Sequence, residues 1–318
     1  MPRPTVMLAH ANAEQFLAGL QEHHPDYDFV PVTNAAALAD AAAKHKIEIA
    51  FSCVSAAFPR GDHRPILAIP SLRWLQVGGS GFDHVAGWQT KSFTLTNAAG
   101  VLAPYLAETI LTMIQFFCLR LPQKLAAQKT KTWQPVMMQS VAGKRLLIVG
   151  TGAIAQAVAV RASMLGMRVA GITRSVRNIE GFDQILPRED LHRAISQADF
   201  VSLHVAADTS THKLFGARCF AAMQPHAYFL NAARGAVVDE AALIDCLRRQ
   251  TIAGAYLDVF EQEPLPAKSP LWSLDNVVIS AHCADMVEQW EADLVRFFSA
   301  NLERWRAGGH LSNVIPRQ

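Results

Sequence analysis

Short apolar runs alternate with amphipathic stretches from the first residues of the chain onward. Residues 5–9, 27–32 and 47–54 form the runs, and the segments near 14–22 and 35–44 carry apolar positions at helical spacing between them. Such alternation predicts parallel strands joined by crossover helices. The next apolar run, 66–75, leads into a turn-rich segment containing Gly78-Gly79-Ser80-Gly81, and a strand at 93–96 stops at Asn97. Residues 104–121 predict a long, largely buried helix with Pro104 in its first turn and Glu108 near the positive end of its dipole. A second series then gives six strands, at 145–149, 168–172, 200–204, 228–231, 253–258 and 277–280, again separated by helical segments. That is the pattern of a doubly wound α/β sheet. A last amphipathic helix, near 287–306, is expected to pack back on the beginning of the chain. Residues 1–99 and 284–318 would then make one domain and 100–283 the other.

Composition narrows the class without changing this picture. The chain has 318 residues, 51% hydrophobic and 18% charged, which is too apolar for disorder and long enough for two packed cores. Its 29 basic and 27 acidic side chains leave a net charge of +2, with no basic tract, so nucleic acid is not an expected partner. Cys53, Cys118, Cys219, Cys246 and Cys283 are widely spaced and include no C-x-x-C pair. No metal site is expected from them, and a reducing, cytoplasmic home fits best. Residues 1–14 lack the apolar core of a signal peptide, and the most apolar stretch, 110–121, is interrupted by Thr112, Gln115 and Arg120, so no membrane association is expected.

The first candidate chemistry lies at Leu146-Leu-Ile-Val-Gly150-Thr-Gly152-Ala153-Ile154-Ala155, where an apolar strand runs into G-x-G-x-x-A and then a helix-forming stretch. A tight turn asks for Gly150, close approach of backbone to a pyrophosphate asks for Gly152, and close helix–strand packing asks for a small residue at Ala155. Strand before and helix after make the match specific for a dinucleotide. Ala153 and Ile154 would begin the helix facing that ligand. At the end of the following strand, where a carboxylate would hold the ribose hydroxyls of NAD, the chain reads Thr173-Arg174-Ser175, with Arg177 close by and no acid before Glu180. Guanidinium groups there pair with a 2′-phosphate that a carboxylate would repel. NADP is therefore favoured as cofactor, with NAD as the alternative.

Three later segments each place a polar centre at or near the end of a predicted strand: Asn231-Ala-Ala-Arg234-Gly235, Asp258-Val-Phe-Glu261-Gln-Glu263-Pro264, and Ser280-Ala-His282. In an open parallel sheet those ends face the ligand crevice. With these segments, the glycine turn, and the stretch from Ala98-Ala99-Gly100 to Ala107-Glu108 in order, the sequence resembles the D-isomer-specific 2-hydroxyacid dehydrogenases over nearly its whole length. The resemblance implies a nucleotide domain in the middle of the chain, a flavodoxin-like substrate domain built from both ends, a cleft between them, and a homodimer in which residues 121–141 reach across.

Hydride reduction of a 2-oxoacid builds negative charge on the carbonyl oxygen, which must be met by a proton and a cation. His282 is expected to donate the proton, Glu263 to fix its ring, and Arg234 to present a fork of donors to the substrate carboxylate. Glu263 is preferred to Glu261 on the resemblance alone. The resemblance also implies substrate contacts from Ser80, Gly81 and Asn97, and cofactor contacts from Val205 and Ala206 on the adenine side, Ala232 on the nicotinamide side and Asp258 at the carboxamide. Ala281, Cys283, Ala284 and Asp285 depart from the family pattern around the histidine, and Val205-Ala206 depart from it at the adenine pocket. The stretch 53–60 has no basic cluster, which favours a short 2-oxoacid such as glyoxylate or hydroxypyruvate over a phosphorylated one. A phosphoglycerate dehydrogenase, and a dinucleotide-sensing co-repressor of the same fold, are the competing readings.

Overall fold

The structure, a computed structural model, describes residues 3–59 and 63–317. By backbone contacts the chain divides into two units, Met1–Leu102 with Val287–Gln318, and Ala103–Met286. These boundaries fall three residues beyond 99 and 283, because Leu102 still packs in the core of the first unit and Ala284 in that of the second.

In the first unit β1 (Thr5–Ala9), α1 (Ala13–His23), β2 (Asp28–Val32), α2 (Leu38–Lys44), β3 (Ile47–Ser52), α3 (Arg64–Leu67), β4 (Trp74–Val77) and β5 (Thr94–Thr96) follow in order. All strands are parallel, in the order β2-β1-β3-β4-β5. Successive strand residues enter opposite cores: Met7, Ala50 and Leu75 lie in one, and Val6, Ile49 and Trp74 in the other. A sheet covered on both faces explains why its strands read as continuous apolar runs. The apolar stretch 66–75 is not one strand, since Pro65 starts a helical turn and Pro70 separates it from β4. The C-terminal helix, Trp290–Arg306, belongs to this unit. Its Phe298 stacks on Phe51 at 5.0 Å and lies 5.4 Å from Trp74, and Asn301 donates to the buried Gln76 at 2.9 Å.

The second unit contains α4 (Ala103–Cys118), α5 (Leu121–Lys129), β6 (Arg145–Val149), α6 (Ala153–Met164), β7 (Arg168–Thr173), β8 (Gln184–Pro187), α7 (Leu191–Ile195), β9 (Phe200–Leu203), α8 (Ala217–Ala222), β10 (Tyr228–Asn231), α9 (Glu240–Arg248), β11 (Gly254–Leu257) and β12 (Val277–Ile279). The helix expected over 104–121 ends earlier, because Arg120 takes a left-handed conformation (φ 55°) and Pro122 opens a new helix. The sheet has seven parallel strands rather than six, in the order β12-β11-β10-β9-β6-β7-β8. β8 escapes the hydrophobic pattern because it is four residues long and ends in proline, which an edge strand tolerates. The chain leaves β6 toward β7 and β8, then returns to place β9 on the other side of β6. That reversal opens a crevice at the carboxyl ends of β6 and β9. Among the described residues no helix is long and apolar enough to cross a membrane.

Candidate active site

The glycine turn sits at this crevice. Gly150 has φ 102°, and a Cβ added there would come within 2.6 Å of the His204 carbonyl oxygen, so glycine is obligatory for the fold itself. Gly152 differs: it precedes α6, and a Cβ there would meet nothing within 4 Å. Glycine at Gly152 is not required by any protein neighbour and fits an exposed helix N-terminus that a pyrophosphate can approach. Ala153 and Ile154 form the first turn of α6, and Ala155 is fully buried against the sheet.

Beside the turn lies a cavity of about 210 Å³, lined by Gly150, Thr173, Arg174, Val205 and Ala206 together with the apolar Ile172, Leu191 and Leu214. The two arginines expected at the 2′-phosphate separate here, since Arg174 lines the cavity and Arg177 does not; Ser175 also stays outside, its backbone N–H donating to Thr173 Oγ1 at 3.3 Å. Arg188, which the sequence reading does not single out, takes a place on the wall. His204, also on the wall, shares a 2.8 Å hydrogen bond between Nε2 and Ser202 Oγ, and burial pushes it down to about 4, so it is neutral. Residues of this cavity and the helix start suit an adenosine and a pyrophosphate.

The candidate reacting groups emerge from the ends of β10 and β12 and from the loop after β11. His282 Nδ1 lies 2.7 Å from Glu263 Oε2, and the other carboxylate oxygen accepts the Phe260 N–H at 3.1 Å. Glu263 is thereby fixed from both sides, and a carboxylate at Nδ1 favours a proton on that nitrogen, which leaves Nε2 as the ring nitrogen not engaged by Glu263. The pair is about one-third exposed, 34% for His282 and 31% for Glu263, so a substrate can reach it. Glu261 is engaged elsewhere, with Lys213 at 3.2 Å and the Glu240 N–H at 3.3 Å. Arg234 is half-buried, and its Nη1 donates to the Ala233 carbonyl at 2.7 Å. The Asn231 side chain bridges the turn, accepting from Ala233 N–H at 3.1 Å and donating to the Arg234 carbonyl at 3.3 Å.

His282 itself has φ 53°, a left-handed conformation that non-glycine residues adopt at a cost of about 1–3 kcal/mol. Asp258 holds it there. The Asp258 carbonyl accepts the His282 N–H at 2.8 Å, and its carboxylate accepts Ser280 Oγ at 2.6 Å, Cys283 N–H at 2.9 Å and Ala284 N–H at 3.3 Å. With the side chain 2% exposed and three acceptor positions filled, Asp258 anchors the histidine loop, a role the resemblance to the family did not imply. Tyr256 extends the network, its hydroxyl 2.8 Å from Ser280 Oγ and pushed up to about 12 by burial. Thr109 Oγ1 secures the other side of the loop by donating to the Ala284 carbonyl at 2.6 Å. Sequence reasoning missed Thr109, Tyr256 and Ser280 because none carries a motif; only the geometry brings them to Asp258. Asp285, the departure from the family pattern, is raised above the usual carboxylate range by burial and by Asp258, against the pull of His282 and Arg234. Ala232 is buried at the end of β10.

In the first unit, the expected substrate loop follows β4. Ser80 is exposed, and Gly81 partly so. Asn97 is 6% exposed, and its amide donates to the Ser80 carbonyl at 2.7 Å while its side-chain oxygen accepts the Ala99 N–H at 3.2 Å. It therefore holds the Ser80 loop. Among the described residues no group of three or more His, Cys, Asp or Glu could hold a metal ion.

Comparison with known proteins gives this arrangement a family. Residues 111–284 match the D-isomer specific 2-hydroxyacid dehydrogenase, NAD binding domain. A glyoxylate/hydroxypyruvate reductase B from Shigella boydii is 33% identical over 295 residues, spanning 88% of each chain. A D-isomer specific 2-hydroxyacid dehydrogenase family protein from Aeromonas salmonicida superposes with a TM-score of 0.88 at 30% identity, over 99% of this chain and 100% of the other. A second such dehydrogenase, from Xanthobacter autotrophicus in complex with NADPH, has a TM-score of 0.82 at 25% identity, over 99% of this chain and 98% of that one. The chain belongs to the D-isomer-specific 2-hydroxyacid dehydrogenases and is an NAD(P)-dependent oxidoreductase of that family.

Proposed function

We propose that this enzyme reduces a short 2-oxoacid, of the glyoxylate or hydroxypyruvate kind, to the D-2-hydroxyacid with NADPH as the preferred cofactor. The observation that carries the reading is the 2.7 Å His282–Glu263 pair, made through Nδ1 and about one-third exposed. Gly150, Gly152, Ala153 and Ile154 would hold the pyrophosphate, Val205 and Ala206 the adenine, Thr173 and Arg174, with Ser175 at the rim outside the cavity, the 2′-phosphate side of the ribose, and Ala232 with Asp258 the nicotinamide end. The cofactor, when bound, supplies the hydride. His282 delivers a proton from Nε2 to the carbonyl oxygen as charge develops there, and Glu263 stabilises the imidazolium before the transfer and fixes the ring. Arg234 binds the substrate carboxylate and polarises the ketone. In the first unit, Ser80 and Gly81 are substrate contacts by the family resemblance, and Asn97 steadies their loop.

The name of the Shigella relative supports the substrate class, and the NADPH in the Xanthobacter structure supports the cofactor. A phosphorylated substrate is disfavoured because the stretch 53–60 has no basic cluster, its single cation being Arg60, which lies outside the described residues. A homodimer is part of the same reading. Trp133 is fully exposed and Met137 is 88% exposed in a segment, 130–141, that has no regular structure and offers large apolar side chains to a second copy. Five free thiols support a cytoplasmic home.

A steady-state panel tests the function: glyoxylate, hydroxypyruvate, pyruvate and 3-phosphohydroxypyruvate, each with NADPH and NADH. Highest kcat/KM is expected for glyoxylate or hydroxypyruvate with NADPH, and absence of turnover with every acid would leave the dinucleotide-sensing alternative standing. Gly152→Ala separates cofactor binding from folding. Because the added methyl group meets no protein atom, the melting temperature should stay within about 1–2 °C, the effect of a few tenths of a kcal/mol, while the KM for cofactor rises about tenfold or more. A fall in melting temperature without a change in KM would show that the glycine serves the fold alone.

A further inference from the structure

Arg188 is the first residue after β8, the strand that the hydrophobic pattern conceals. Its side chain lines the same cavity as Arg174, which follows β7, so cations from two adjacent strands share one wall. Arg188 Nη2 donates to the Ser210 carbonyl at 2.5 Å, across to the loop after β9. That loop is closed on itself: Asp208 Oδ1 accepts Ser210 N–H at 2.8 Å, Ser210 Oγ at 2.6 Å and Thr211 N–H at 3.0 Å, and Thr211 Oγ1 donates to the Ala206 carbonyl at 2.7 Å. The guanidinium is therefore ordered before any ligand arrives, which removes part of the entropic cost of binding. Ser210 takes one of its five N–H donors. Among the described residues neither Arg174 nor Arg188 forms an ion pair with a carboxylate. The acid on the wall, Asp208, is occupied by its own loop, and those hydrogen bonds, led by Ser210, hold it below the usual carboxylate range.

Two guanidinium groups beside an adenosine-sized cavity, with the acid on its wall, Asp208, bonded into its own loop, suit a phosphomonoester, whose charge near −2 one guanidinium only half compensates. We propose that Arg188 is a second specificity-determining cation for the 2′-phosphate of NADPH, which is gripped between Arg174 from β7 and Arg188 from β8. This rests on the NADPH reading above. It assigns to β8 a part of the cofactor discrimination that the sequence places on β7 alone.

Arg188→Gln keeps an amide donor for the Ser210 carbonyl and removes the charge. The KM for NADPH is expected to rise about tenfold, the KM for NADH to change less than twofold, and kcat to stay constant. Calorimetric titration with 2′-AMP and 5′-AMP gives a readout independent of turnover: 2′-AMP affinity should fall about tenfold and 5′-AMP affinity should hold. Equal changes for both cofactors, or for neither, in a wild-type enzyme that prefers NADPH would reduce Arg188 to a loop tie and overturn the inference alone. A wild-type enzyme indifferent to the 2′-phosphate would overturn the NADPH reading and this inference together, an outcome visible before any variant is made.

Discussion

His282→Ala is expected to lower kcat by about a thousandfold, within the 10²–10⁴ range of general acid catalysis, and to leave NADPH affinity within about twofold of the wild type. The imidazole touches Glu263 at 2.7 Å, and the cofactor cavity is lined by other residues, so the loss should fall on proton delivery. One complication is the backbone, since alanine at φ 53° is less comfortable than histidine and the loop could shift for that reason alone. His282→Asn controls for it, because asparagine tolerates the left-handed region yet cannot deliver a proton. Both variants should lose turnover alike, measured as NADPH consumption at saturating 2-oxoacid. If the asparagine variant kept more than about a tenth of the wild-type rate, the proton would have to come from another donor.

Much of this was legible in the sequence, and what was not has physical reasons. Long apolar runs such as 145–149 and the G-x-G-x-x-A turn announce themselves because burial on both sheet faces and close helix packing leave few residue choices. β8 stays hidden because an edge strand of four residues needs little hydrophobicity. Arg188 went unnoticed with it. The three polar centres at Arg234, Glu263 and His282 could be placed on strand ends, but the preference for Glu263 over Glu261 rested on the resemblance alone, and its physical reason is in the coordinates: both acids belong to one loop, and Glu263 meets the histidine while Glu261 meets Lys213. Asp258 shows the opposite limit. Read by analogy it is a cofactor contact; its three carboxylate hydrogen bonds add a second part, anchor of a strained loop, which depends on backbone N–H groups that sequence does not display.

Arg234→Lys should lower kcat/KM for the 2-oxoacid by about 10²–10³, although the charge is kept. The position of Arg234 is defined by the next residue. A Cβ on Gly235 would fall within 1.9 Å of the Phe260 backbone, so at this point the chain is pressed against the loop whose Phe260 N–H binds Glu263, which in turn binds His282. One series of contacts thus sets the guanidinium relative to the proton donor, and a lysine ammonium in the same place would reach the carboxylate as a single point charge without the planar fork. The loss should appear in both terms, a higher KM from weaker carboxylate binding and a lower kcat from a ketone less well polarised. Cofactor KM serves as the internal control and should remain near the wild-type value. Arg234→Ala should be worse than lysine for the 2-oxoacid, and added guanidinium should restore part of its rate but none of the lysine variant's. A lysine variant as active as the wild type would show that charge alone suffices there, and the bidentate role assigned to Arg234 would fail.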